Sequence, residues 1–326
     1  RIDCIDEKNE WFSKNIENVK ENRVSALELD SIILLNLLIS YQILNSNKLN
    51  VNLQVDREWS FLENIFSTYR AQVYVDEASD FSPVQLKCMA ALSYPDIGSF
   101  FASGDLNQSL TRWGIKNRND LQWIAKNLEI KEISNTYRQT KQLCKFAEEL
   151  INIGKSDRIP PILPKNIDNE GVPPVLLEKY NTDKDLCFWM ADRIIEIEKL
   201  TTFLPSIAIF VENEDLVFQI ANILKSRLSE NNIAVEACPG GEIVGQNIHV
   251  RVFDIKHIKG LEFEAVFLAG ISNAEDKDME IFSKYLYVGA TRAATYLGIA
   301  IKDNITEKYN QIKAYCKKDW NEFLAL

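Results

Sequence analysis

Short β-prone runs that end in polar turns alternate along this chain with helical stretches, and that alternation confines it to parallel α/β layering. Ala71–Val75 is one such run and closes on Asp76-Glu77. Ser82-Pro83 opens the next helix, with serine as N-cap and proline in the first turn. Ser99–Ala102 predicts a second strand ending in Gly104-Asp105, Leu128–Ile133 a third, and Gln139–Ile151 a helix. Further on, strands at Val175–Glu178, Ser206–Val211, Ile233–Glu236, Ile248–Phe253, Ala265–Leu268 and Tyr296–Ile301 alternate with helices at Asp183–Lys199, Glu214–Glu230 and Glu280–Ala290. Residues 1–70 differ. Ala26–Leu44 is densely apolar at helical spacing, and Asp56–Tyr69 sets Trp59, Leu62, Ile65 and Phe66 at helical intervals.

A chain of 326 residues suggests two domains. Arg158–Pro174 contains five of the nine prolines plus Gly171 and is the expected linker. The expected organisation is therefore a helical segment at 1–70, a first α/β domain at 71–157, the linker at 158–174 and a second α/β domain at 175–326. Lys plus Arg total 37 against 47 Asp plus Glu, so the net charge of −10 argues against coating nucleic acid through bulk positive charge and leaves only a local cationic groove. Six dispersed cysteines without a C-x-x-C pair, joined only by His249 and His257, argue against zinc and read as reduced thiols of a cytoplasmic protein. The richest apolar run, Ser31–Leu44, is broken by Asn36 and Gln42, and no uninterrupted run reaches the ~20 residues of a membrane span, so no membrane partner is expected.

Several polar clusters stand at element ends. Asp76-Glu77 follows a hydrophobic strand, at the carboxyl edge where parallel sheets bind ligands. One carboxylate there can hold Mg²⁺ while its neighbour orients or deprotonates a water; the same pair is also what a solvated turn looks like. Gln108, in Gly104–Ser109, has an amide able to sense a phosphate or position water, or simply to line a polar loop. Arg138 offers a guanidinium, or a surface ion pair. In Lys256–Phe263, Gly260 permits close backbone approach to a ligand and Glu262 can accept hydrogen bonds from a sugar. Arg292 stands near a helix end, where the helix dipole alone would favour it. Trp113 is a candidate for base stacking or for a core position, and His257 for a strand contact or a loop histidine.

In their order, these clusters make the chain resemble the UvrD/Rep/PcrA-like superfamily 1 DNA helicases. VDEASDFSPVQ is similar to their Walker B motif, GDLNQSLTRWG to motif III, NTYRQT to motif IV, HIKGLEFEAVFLAG to motif V and YVGATRA to motif VI, over about Ala71 to Ile301. The resemblance implies two RecA-like domains that clamp ATP and step 3′-to-5′ along single-stranded DNA. It implies that Asp76 holds Mg²⁺, Glu77 is the catalytic base, Gln108 contacts the γ-phosphate, and Arg138 and Arg292 are arginine fingers. Glu262 and the backbone near Gly260 would meet the nucleotide, and Trp113 and His257 the DNA strand.

The sequence also departs from that family. No G-x-x-x-x-G-K-[ST] phosphate loop occurs in the 326 residues; Gly154-Lys155-Ser156 has Glu149 where the first glycine is needed and follows a helix. The expectation is a C-terminal piece of a longer motor, its first RecA-like domain incomplete, and this chain alone inactive. The alternative is a non-hydrolysing helicase-like subunit that binds DNA or protein in a repair or defence complex. Ser79 replaces the usual Walker B glutamine, and Thr111 a frequently aromatic position. The spacing between Arg138 and Gly260 is too short for a large 2B insertion.

Overall fold

The computed structural model describes residues 24–44, 64–65, 67–94, 97–108, 114–115, 118–125, 128–133, 135–154, 164, 169–246, 248–258, 260–271 and 279–323. It is α/β with parallel sheets and divides into two compact units, Arg1–Ile130 and Lys131–Leu326.

In the first unit, helix α1 (Ala26–Leu44) packs against helix α2 (Pro83–Ala91). Leu34, Leu37 and Ser40 turn inward, and Tyr69 Oη donates to Leu37 O at 2.9 Å. Ala26–Ile43 is long and apolar enough, by length and composition, to cross a membrane, with a mean hydropathy of 1.4. Strands β1 (Gln72–Val75) and β2 (Ser99–Ala102) form a parallel pair, and Leu86, Ile115 and Ile124 pack with Val75 beneath it. Helix α2 begins as its sequence predicts. Pro83 opens it, and Ser82 and Gln85 exchange side-chain and backbone hydrogen bonds in a capping box. Helix α3 (Arg118–Ile124) follows, and the Lys87 ammonium donates to Trp123 O and Ile124 O. The helix expected over Asp56–Tyr69 lies largely outside the described residues.

The second unit is a six-stranded parallel sheet in the order β3-β8-β7-β4-β6-β5. Its strands are β3 (Val175–Glu178), β4 (Ile207–Val211), β5 (Val235–Ala237), β6 (Val250–Asp254), β7 (Phe263–Ile271) and β8 (Ala293–Ile301). Every residue of the interior strands β4 and β6 is buried, which explains the continuous apolar sequence of β4; in β6 the buried Arg251 and Asp254 find partners in Val244 O and Lys256 N. Helices α5 (Asp183–Leu200) and α6 (Glu214–Leu228) start at side-chain caps, Thr182 and Asn213. Helix α4 (Lys141–Gly154) packs against helix α7 (Met279–Arg292), whose last residue runs directly into β8. Trp320, fully buried, meets Phe267 and Tyr296 edge-on and donates from Nε1 to Pro173 O at 2.8 Å.

Two features differ from the sequence reading. Leu128–Ile133 has the alternation of a strand but is neither strand nor helix, because the division between the units falls within it and it joins no ladder. That division also lies upstream of the proline-rich stretch. Helix α4 and the end of that stretch belong to one body: Lys141 N donates to Asn169 O, Gly171 N to Gln142 Oε1, and Lys317 N to Pro174 O.

Cys88, Cys144, Cys187, Cys238 and Cys316 are free thiols. Burial pushes the Cys144 thiol up to about 11 and that of Cys187 to about 12. A raised thiol pKa favours the folded chain fully below the unfolded value of about 8.5, and that contribution is lost as pH rises toward the folded value. At pH 8 these two thiols are therefore expected to react with Ellman's reagent far more slowly in the native than in the urea-unfolded chain. Equal rates would contradict the burial.

Candidate functional site

The first unit brings Asp76, Glu77 and the loop of Gln108 to the carboxyl edge of β1 and β2. Val75 pairs with Ala102, so Asp76 and Ser103 stand opposite one another immediately beyond the strands. Ser103 Oγ donates to Asp76 Oδ1 at 2.7 Å, and Glu77 N donates to the same oxygen at 2.9 Å. Glu77 has φ of 50°, the left-handed region that a non-glycine residue rarely occupies and that clusters at functional sites. Ala78 N donates to Ser103 O, and Ser103 N to Val75 O, locking the two loops together. A methyl group at Gly104 would lie 2.9 Å from the backbone nitrogens of both Ala78 and Ser79. Gln108 ends a short 3₁₀ turn, Leu106–Gln108, four residues further on, and its backbone N–H donates to Asp105 O. Gly104→Ala is expected to cost about 1–3 kcal/mol of first-unit stability, because backbone cannot yield as a side chain does. A denaturation midpoint equal to wild type would refute that tight contact.

In the second unit, Phe263 pairs with Ala293 across β7 and β8, so Glu262 and Arg292 each stand one residue before these partners at the amino edge of the sheet. Arg138 reaches the same place through an ion pair with Glu262 in which both side chains are about half exposed. An exposed pair of this kind contributes about 0–1 kcal/mol, so its significance is the grouping rather than stability. Arg292 is 6% exposed. The residue between, Gln139, is buried, and its Nε2 donates to Ala290 O and Ala293 O on either side of Arg292. The sequence alone placed Arg138 in the first domain; it belongs to the second unit.

His257 lies at the other end of the sheet. The β6–β7 connection leaves the carboxyl edge at Asp254 and returns to the amino edge at Glu262, which separates two residues only five apart in sequence. His257 Nε2 is 3.9 Å from Glu214 Oε2, and Glu214 Oε1 accepts from Gly240 N at 2.7 Å. A methyl group at Gly241 would collide with the His257 ring. Gly260, with φ of 71° and open space where a Cβ would point, exposes its backbone between these two ends. Nearby, burial first and then the charges of Asp254 and Glu212 push the Tyr285 phenol up.

Trp113 lies outside the described residues. Ser103, Gln139 and Glu214 were not singled out from sequence. Only Ser103 had a legible signal, since a parallel partner of the strand before Asp76 places a hydroxyl opposite it. Chemically, the first unit offers an oriented carboxylate–hydroxyl pair suited to a hard cation, and the second offers a half-exposed guanidinium paired with a carboxylate, chemistry suited to a phosphate, with the buried Arg292 at the same sheet edge.

Residues 249–300 match the family described as UvrD-like helicase C-terminal domain, so this portion of the chain is UvrD-like. The match includes His257, Gly260, Glu262 and Arg292, and it suggests a helicase-related function. No curated protein matches the chain. Among solved structures, the C-terminal domain of a possible DNA helicase from Lactobacillus plantarum WCFS1 is 18% identical, with a TM-score of 0.39, over 56% of this chain and 99% of that one.

Proposed function

We propose, from the UvrD-like stretch and the residues gathered beside it, that this chain supplies ATP-hydrolysing and strand-tracking parts of a 3′-to-5′ single-stranded-DNA motor. Its α/β units would be RecA-like lobes without a large 2B insertion, working in the cytoplasm. The observation that supports this most is the Arg138–Glu262 ion pair at the amino edge where Arg292 also stands, because Glu262 and Arg292 both fall within the UvrD-like stretch and guanidiniums have a ready role on a triphosphate.

Each unit would contribute its own share. Asp76, held by Ser103 Oγ and the Glu77 amide, has the oxygen chemistry Mg²⁺ requires. The metal, when bound, would neutralise phosphate charge. Glu77 would orient and deprotonate the attacking water, and Gln108 would contact the γ-phosphate. Arg138 and Arg292 would take the charge that develops there, while Glu262 and the Gly260 backbone receive the nucleotide's sugar and phosphates. Gly240, Gly241 and His257 would face the DNA strand together with Trp113. A phosphate-binding loop is missing from these 326 residues, so the proposal requires one supplied from outside them.

The missing loop also favours a second reading, a non-hydrolysing subunit that binds DNA or a protein partner in a repair or defence assembly. One experiment separates the two: the product of the whole reading frame is assayed for ATP turnover with and without single-stranded DNA. Strand-stimulated turnover is the expected result. Strand binding without turnover would overturn the motor in favour of the binding subunit.

A further inference from the structure

Arg292 is bracketed by a buried amide that neither the family match nor the sequence motifs explain. Gln139 is 3% exposed, and its Nε2 donates to Ala290 O at 2.6 Å and to Ala293 O at 3.2 Å. A side-chain amide nitrogen has two hydrogens, one for each of these carbonyls. The first belongs to the last turn of α7, where helices leave carbonyls without backbone partners. The second belongs to the first residue of β8. Arg292 lies between them, at a junction with no intervening loop.

Gln139 is itself held on both sides. Its carbonyl accepts from Asn169 Nδ2 at 3.0 Å, and the next residue, Thr140, donates from its backbone N to Ala294 O at 3.1 Å. Asn169 O in turn accepts from Lys141 N at 2.8 Å. The segment following Arg138 is thus sewn onto the start of β8 by backbone and side-chain bonds together. One amide fixes the peptide geometry before and after Arg292, and with it the direction in which the arginine side chain leaves the backbone. The same bonds fix the backbone from which Arg138 reaches Glu262.

We infer that Gln139 is a positioning residue that sets the aim of Arg292 and registers Arg138 against it. The catalytic half of this inference rests on the proposed motor function; the geometric half does not. Leucine at 139 keeps the bulk and removes both donations, and glutamate keeps the shape but offers acceptors to two carbonyls. Displacing a charge-stabilising group by a fraction of an ångström to an ångström costs turnover of up to about 10²-fold, with ground-state binding little affected.

The test has two arms. In the first, Gln139→Leu, Arg292→Ala and the double variant of the whole reading-frame product are compared in strand-stimulated turnover with radiolabelled ATP. The expected result is a kcat about 10²-fold lower for Gln139→Leu with KM for ATP within about twofold, and no further loss when Gln139→Leu is added to Arg292→Ala. Losses that multiply would overturn the inference, since Gln139 would then act independently of Arg292. In the second arm, the Nε–Hε NMR signal of Arg292 is followed in the chain itself, identified by its disappearance in Arg292→Lys. Gln139→Leu is expected to shift or broaden it and to leave that of Arg251, which donates to Val244 O, in place. An unmoved Arg292 signal overturns the positioning role. A moved signal in a protein without ATP turnover upholds the positioning role and overturns the motor reading.

Discussion

Replacing Glu77 with glutamine is expected to lower strand-stimulated ATP turnover by about 10²–10⁴-fold, the range associated with losing a positioned general base. Single-stranded-DNA affinity, read by fluorescence anisotropy, is expected to stay within about twofold of wild type, because the substitution removes one proton acceptor and leaves the loop's shape. The backbone gives this prediction a companion. Glu77 is held at φ of 50°, where an L-residue is disfavoured by about 1–2 kcal/mol. Glu77→Gly relieves that cost and is expected to raise first-unit stability by up to about 1 kcal/mol while losing turnover as glutamine does. Under the proposed mechanism the strain at Glu77 is retained for its carboxylate. Turnover unaffected by Glu77→Gln would remove the catalytic base from the mechanism and the motor reading with it.

Arg292→Ala is expected to reduce turnover further, by about 10³–10⁵-fold, the contribution an arginine makes to a transferring phosphoryl group. Because Arg292 is buried, the alanine variant also leaves a void, and its melting temperature must be followed in parallel. Arg292→Lys resolves the ambiguity. Lysine keeps the charge and much of the stem but not the planar fork, so a chain that melts like wild type and still turns over at least about 10-fold more slowly assigns the defect to the guanidinium. Wild-type turnover in Arg292→Lys would rule out a fork-specific role.

Much of the fold was legible because its signals are local. The helix start at Ser82-Pro83, the helix starts at Asp183 and Glu214, and the wholly apolar β4 each follow from side chains acting on their own backbone or burying both faces of a strand. Leu128–Ile133 reads as a strand by the same local rule, but a strand exists only against a partner, and alternation says nothing about whether one is available. The proline-rich stretch misleads for a related reason. Prolines mark where a helix or strand cannot continue, whereas Asn169, Gly171 and Pro174 show that irregular backbone can be bonded into a unit as firmly as a strand. At the candidate site, sequence nearness was a poor guide. His257 and Glu262 share one motif yet occupy opposite ends of the sheet, while Arg138 and Glu262, more than a hundred residues apart, touch. The bracketing of Arg292 by Gln139 joins residues 151 and 154 positions apart, which no periodicity reveals.

The contact between Gly104 and the Ala78–Ser79 backbone has a mechanical corollary. With three hydrogen bonds across the same seam and no room for even a methyl group in it, the turns after β1 and β2 form a single stiff plate. Whatever tilts the Asp76 carboxylate must therefore swing the segment leading to Gln108 as well, so the communication between them needs no dedicated relay of side chains and is as prompt as the motion of a lever.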